Sequence, residues 1–215
     1  MSTATASITW QRRVSPWLLK PWAKPLVWLL CAAPLAWLLW RGVAGDLGAN
    51  PAEALIRSTG LWTLRWLWIT LAITPLREWL NLPALARFRR ALGVTAFIYG
   101  CLHFASYAWL DKGFVLPDIL RDIAKRPFIL VGLLALIGML PLALTSFNRA
   151  IKAMGAARWQ LLHKLVYGVA MLGLLHFFWK KSAKNDVSEV AVYALILAVL
   201  LGWRLVTGRL WKRGR

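Results

Sequence analysis

Residues 127–145 read PFILVGLLALIGMLPLALT, and no charged side chain interrupts the run. A helix rising about 1.5 Å per residue needs roughly 20 apolar residues to cross the hydrocarbon core of a bilayer. This stretch meets that demand. Working outward from it, further apolar stretches lie near 21–40, 60–77, 91–110, 159–179 and 189–208. The gaps collect charge, Pro, Gly and Asn: Arg41–Pro51, Asn81–Arg90, Asp111–Arg126 and Lys180–Asp186. The pattern predicts an all-α fold, an integral membrane bundle of six transmembrane helices. No long linker divides it. Residues 1–20 read as an N-terminal segment, 21–208 as the bundle and 209–215 as a basic tail. The first stretch follows Arg12, Arg13, Lys20 and Lys24, but it is too long for the apolar region of a signal peptide and reads as a retained helix.

Composition agrees. The chain is 60% hydrophobic and only 16% charged, with a mean hydropathy of +0.57, where soluble domains are about 25% charged. Its 27 Lys+Arg against 8 Asp+Glu give a net charge of +19. Nucleic acid is not the expected partner, because the basic residues sit between apolar runs and no nucleic-acid-binding motif occurs. The lipid bilayer is. With the N-terminus on the cytoplasmic side, more than half of the 27 basic residues fall on that side, and of the 8 acidic ones only Glu78 does. The positive-inside rule therefore puts both termini in the cytoplasm. Many of the 15 tryptophans lie near expected helix ends, among them Trp22, Trp40, Trp62, Trp79, Trp109, Trp159, Trp179 and Trp211, as interfacial anchors do. Cys31 and Cys101 lie inside apolar runs and read as packing residues. There is no CxxCH motif, so any haem would be held without a covalent bond.

All 3 histidines, His103, His163 and His176, fall inside expected membrane helices. Ionisable residues at that depth are costly and usually functional, and neutral imidazole ligates metals and haem iron. His163 and His176 are separated by about 20 Å of helix rise but by roughly 140° of rotation on a straight helix, a mismatch that a bend or local unwinding near Gly168 or Gly173 would reduce. By height His103 is nearer to His176, which pairs these two around an outward-lying haem and leaves His163 without a histidine partner. Arg89 reads as part of a topology-setting basic loop or as a ligand for a haem propionate or flavin phosphate. Arg65 reads as a snorkelling residue or as a propionate partner. No carboxylate lies well inside a helix, which argues against a proton pump. No phosphate-binding, dinucleotide-binding or zinc-protease motif is present, and no NAD(P)H-binding segment is expected after the sixth stretch.

Several runs resemble the MsrQ (YedZ) family: Thr59–Gly60 through Ile73-Thr74-Pro75-Leu76-Arg77, Arg89-Arg90-Ala91-Leu92-Gly93 leading to Leu102-His103 and Ser106-Tyr107, Thr145-Ser146, and Arg158-Trp159-Gln160-Leu161-Leu162-His163 through Tyr167 to His176. That family is the haem-binding membrane subunit of a methionine sulfoxide reductase system, within the wider ferric reductase-like group. The resemblance implies one or two b-type haems and FMN, with His103, His163 and His176 as the family's histidines. It implies electrons arriving from quinol or a cytosolic flavin reductase and leaving to MsrP, a periplasmic molybdopterin enzyme that reduces methionine sulfoxide in proteins. Catalysis of sulfoxide reduction would then sit on that partner, and the location would be a bacterial inner membrane. The wider group commonly carries a second histidine on its third helix, where this chain has Arg89. The rivals are a ferric or cupric reductase on the same scaffold, and a non-redox transporter or assembly factor.

Overall fold

The computed structural model describes residues 14–182 and 187–208. Arg12, Arg13, Lys184, Asp186, Trp211 and the 209–215 tail lie outside the described residues. After a helical turn at 14–19 come α1 (Ala23–Val43), α2 (Pro51–Trp79), a 3-10 turn (Pro83–Phe88), α3 (Arg89–Ser106), a π-helical turn (Tyr107–Asp111), α4 (Leu116–Lys125), α5 (Pro127–Leu144), α6 (Asn148–Met154), α7 (Ala156–His163), α8 (Leu165–Ser182) and α9 (Ser188–Val206). This is an all-α membrane bundle, and no strand occurs among the described residues.

Among the described residues, five segments are long and apolar enough to cross a bilayer: α1, Pro83–Asp111 around α3, α5, Ala156–Ser182 across α7 and α8, and α9. The expected stretch at 60–77 lies in α2, which is longer than expected at 29 residues but is not one of those five. Its lower apolarity has a physical reason. Leu64, Trp66, Leu67, Trp68, Leu71 and Ile73 are buried by neighbouring helices, so α2 is the hub of the core. A helix wrapped by protein need not be apolar all round, whereas α1 turns Trp28, Leu29 and Trp37 outward. Asn50 starts α2 by accepting a hydrogen bond from the Glu53 amide (3.0 Å), with Pro51 in the first turn.

α1 contains Pro34. There the Leu35 amide donates to the Tyr99 hydroxyl (3.0 Å), which donates to the Cys31 carbonyl (2.9 Å). A side chain of α3 is thus inserted across the backbone ladder of α1, beside the residue that cannot donate. Arg204 ties α9 to α2 by donating to the carbonyls of Leu200 and Leu71, and Trp68 donates to the Tyr193 carbonyl (2.9 Å).

The structure adds to or departs from the sequence reading in three places. The gap at Asp111–Arg126 holds the π-helical turn and α4, whose buried Ile119 and Asp122 dock it onto the bundle. The helix carrying His163 and His176 is interrupted at Lys164, not at Gly168 or Gly173. Trp62 does not mark a helix end, because α2 begins at Pro51; it packs against Trp66 and under Arg65 instead. Trp22, Trp40, Trp79, Trp109 and Trp179 are exposed.

Candidate functional site

α3 and α8 end at the end of the bundle where α2 and α5 begin. His103 lies near the C-terminal end of α3 and His176 near that of α8. Their ring centroids are 6.1 Å apart with planes at 73°. His103 Nδ1 is 2.8 Å from the Ile56 carbonyl of α2, and His176 Nδ1 is 2.6 Å from the Phe128 carbonyl of α5. A carbonyl can only accept, so each Nδ1 carries the proton and each Nε2 keeps its lone pair. Among the described residues neither Nε2 has a hydrogen-bond partner. The expected pairing of these two histidines is what the fold brings together.

Glycine backbone backs both rings. A Cβ added at Gly60 would stand 2.9 Å from His103 Nδ1 and Cε1, and one at Gly132 would stand 2.7 Å from His176 Nδ1. Arg65 is half-buried on α2, one turn deeper than Gly60. It donates from Nε to the Tyr193 hydroxyl (2.9 Å) and lies over the Trp62 ring (4.8 Å). The interaction with Tyr193 turns it towards the bundle and not only towards the headgroups. Lys180, one turn beyond His176, lies 5.9 Å from the Phe128 ring and within electrostatic reach of both histidines.

His163 stands apart at the other end of the bundle. Its Nδ1 donates to the Trp159 carbonyl (3.0 Å) and its ring stacks on the Trp159 indole (3.8 Å). Its Nε2 is buried, with the Leu142 carbonyl nearby but outside hydrogen-bonding geometry. All 3 histidines therefore share one state, a proton on Nδ1 and a free Nε2. The three arginines of the basic loop divide. Arg87 donates to the Leu18 carbonyl (2.6 Å) and Arg90 to Asn148 Oδ1 (2.8 Å), so both are structural ties. Arg89 is exposed, makes neither kind of bond, and lies within electrostatic reach of His163, Arg77 and Arg204.

Just past His103 the π-helical turn opens a polar network. Asp122 of α4 accepts from the Tyr107 hydroxyl (2.9 Å) and pairs with Lys112 (3.0 Å) and Arg126 (3.0 Å). Burial pushes the Asp122 carboxyl up, but the bonds from Lys112 and Tyr107 and the charge of Arg126 outweigh it and hold it below its ordinary value.

Residues 59–174 match the family described as the ferric reductase-like transmembrane component. The chain is 61% identical to the protein-methionine-sulfoxide reductase heme-binding subunit MsrQ of Polaromonas naphthalenivorans over 196 residues, which is 91% of this chain and 90% of that one. The chain belongs to the MsrQ family. Its likeness to the MsrQ of Azospira oryzae is 51% over 84% of this chain and 76% of the other, and to that of Bordetella parapertussis 46% over 88% and 91%. No solved structure matches. In this MsrQ family member the matched segment holds His103 and His163 and ends just before His176.

Sequence reasoning missed the elements that support the histidines. The Ile56 and Phe128 carbonyls have no side-chain signature, and Gly60 and Gly132 look like ordinary membrane-helix glycines. Lys180 had a legible signal, a cation four residues after an intramembrane histidine.

Proposed function

We propose that this chain is the haem b-carrying membrane subunit that passes electrons outward to an MsrP-type periplasmic methionine sulfoxide reductase. The observation that carries the reading is the His103–His176 pair. Metal–imidazole bonds of about 2.0–2.1 Å, as at zinc, put the centres of two rings on opposite sides of one ion about 6 Å apart. The observed 6.1 Å fits that spacing. The protonation state fits too, since ligating histidines commonly donate their other ring N–H to a carbonyl or carboxylate. When bound, the haem supplies one-electron transfer between ferrous and ferric iron.

The chain's own residues supply the rest. His103 and His176 hold the iron on the outer side. Arg65, whose Nη atoms are not used by the bond to Tyr193, neutralises a propionate. Lys180 adds positive charge at the outer edge. On the inner side, the buried Nε2 of His163, unpaired among the described residues, supports a second ligand position, and Arg89, which makes no hydrogen bond among the described residues, is the basic-loop arginine for a propionate or the phosphate of FMN. Quinol or a cytosolic flavin reductase delivers electrons at that inner face. α2 is the sixth span: its 29 residues would rise about 43 Å, more than the bilayer core. Both termini then face the cytoplasm of a bacterial inner membrane.

The test is a dithionite-reduced minus oxidised spectrum of the detergent-purified protein with haem counted per chain. A b-type spectrum that is lost in His103→Ala and His176→Ala is expected. A ratio near two that falls to one in His163→Ala assigns the inner ligand, and a ratio of one removes it. Faster turnover with an MsrP-type reductase than with chelated ferric iron is expected, and the reverse would favour a ferric reductase. A colourless protein from cells supplied with haem precursor would sink the reading in favour of a non-redox membrane protein.

A further inference from the structure

The two histidines are seated by the same local construction, built twice on different helices. In an α-helix the amide of residue i donates to the carbonyl of residue i−4. The Ile56 carbonyl therefore runs beside Gly60, and the Phe128 carbonyl beside Gly132. These are the two carbonyls that take the Nδ1 protons of His103 and His176. In each helix, then, the acceptor lies four residues before a glycine whose missing Cβ leaves room for the ring. A carbonyl oxygen has two lone pairs, so it can accept the imidazole without releasing its helical partner; on α2 the Thr59 hydroxyl also lies 3.0 Å from the Ile56 carbonyl, but its single proton has the nearer Leu55 carbonyl at 2.8 Å. A side chain at residue i would cover that second lone pair.

We infer that Gly60 and Gly132 are positioning residues: they uncover one carbonyl on each of α2 and α5, which fixes the proton on Nδ1 and turns each Nε2 into the shared gap. The inference rests on the reading that His103 and His176 ligate haem iron, and it adds the device that orients them. The bland role of an intramembrane glycine is close helix packing. The fold contains that role as well, which provides controls. A Cβ at Gly138 of α5 would meet Val169 Cγ2 at 2.9 Å, and one at Gly100 of α3 would meet Leu136 Cδ1 at 3.1 Å, in both cases away from the histidines. The crowding at Gly138 equals that at Gly60, and only the neighbour differs.

The experiment compares Gly60→Ala and Gly132→Ala with Gly100→Ala, Gly138→Ala, His103→Ala and His176→Ala in the full-length protein. It reads melting temperature, haem per chain, and the share of low-spin haem by absorption and electron paramagnetic resonance. Gly60→Ala and Gly132→Ala are expected to convert at least half of the low-spin signal to high-spin or to lose that haem, with a melting temperature no lower than that of Gly138→Ala. The two packing controls are expected to keep the low-spin spectrum. Retention of full low-spin haem in both Gly60→Ala and Gly132→Ala, alongside its loss in the histidine variants, overturns the inference and leaves the ligand reading standing. Retention in the histidine variants overturns the ligand reading itself. Equal losses in Gly138→Ala and Gly132→Ala assign the glycines to packing and overturn the inference. Should Gly132→Ala not accumulate, the double variant Gly132→Ala/His176→Ala removes the ring that the new Cβ meets. Recovery to the level of His176→Ala alone supports the inference, and continued loss overturns it.

Discussion

Replacing Asp122 with Asn tests what holds α4 against the end of the helix that carries His103. The substitution keeps size and removes charge. The Asp122 side chain is 10% exposed and its Lys112 partner 17%, while Arg126 is 52% exposed and can turn to water. A charge-assisted hydrogen bond contributes about 1.5–3 kcal/mol, and an exposed pair such as that with Arg126 about 0–1 kcal/mol. Asn can still accept one bond, so the expected loss is about 2–3 kcal/mol of local stability. At about 1.4 kcal/mol per factor of ten, amide hydrogen exchange over Leu116–Lys125 should accelerate about 30- to 150-fold. Exchange in α1 should not change. An acceleration below about threefold would show that the apolar contact of Ile119, and not the carboxylate, keeps α4 docked. The pH dependence follows from the sign of the shift. Asp122 is held below its ordinary value of 3.8, so its stabilisation is complete above that pH and is lost as pH falls through the depressed value. Protection of α4 from this carboxylate should therefore be flat from neutral pH down to 3.8 and fall only below it.

Tyr99→Phe removes the hydroxyl that bridges Cys31 and Leu35; loss of its two bonds should cost about 1–3 kcal/mol and lower the melting temperature in detergent by several degrees, whereas an unchanged value would mean that α1 closes its own ladder. Asn50→Ala should cost about 0.5–2 kcal/mol and speed exchange in the first turn of α2, with haem content unchanged. Trp68→Phe leaves the Tyr193 carbonyl without its indole donor and should loosen α9 from α2, read as faster amide exchange across Ser188–Val206, and equal rates in the two proteins would refute that role for the indole.

The spans were legible because lipid imposes a length and a composition that few other environments demand, and residues 127–145 satisfy both with no exception. The histidine pairing was legible from chain direction and height alone. α2 was read short, since Arg57 and Glu53 look like loop residues until the Asn50 cap is seen to hold a helical turn around them. α4 was missed because its charges mask a helix, though Pro117 and Asp118 in its first turn and Lys125 in its last are the expected boundary signals. The interruption at Lys164 has no local Gly or Pro to announce it. The histidine supports were invisible for a different reason: backbone carbonyls carry no letter in a sequence.

The Tyr99 hydroxyl spanning Cys31 and Leu35 also bears on the order of assembly. α1 enters the bilayer before α3 has been synthesised, so it arrives with its Pro34 region lacking the bridge that completes it. Until Tyr99 arrives, the Leu35 amide and the Cys31 carbonyl have each other as an ordinary i, i−4 pair, or water, as partners. Arrival of α3 then inserts the hydroxyl between them, and the helix that brings His103 into the membrane is the one that completes a helix made before it.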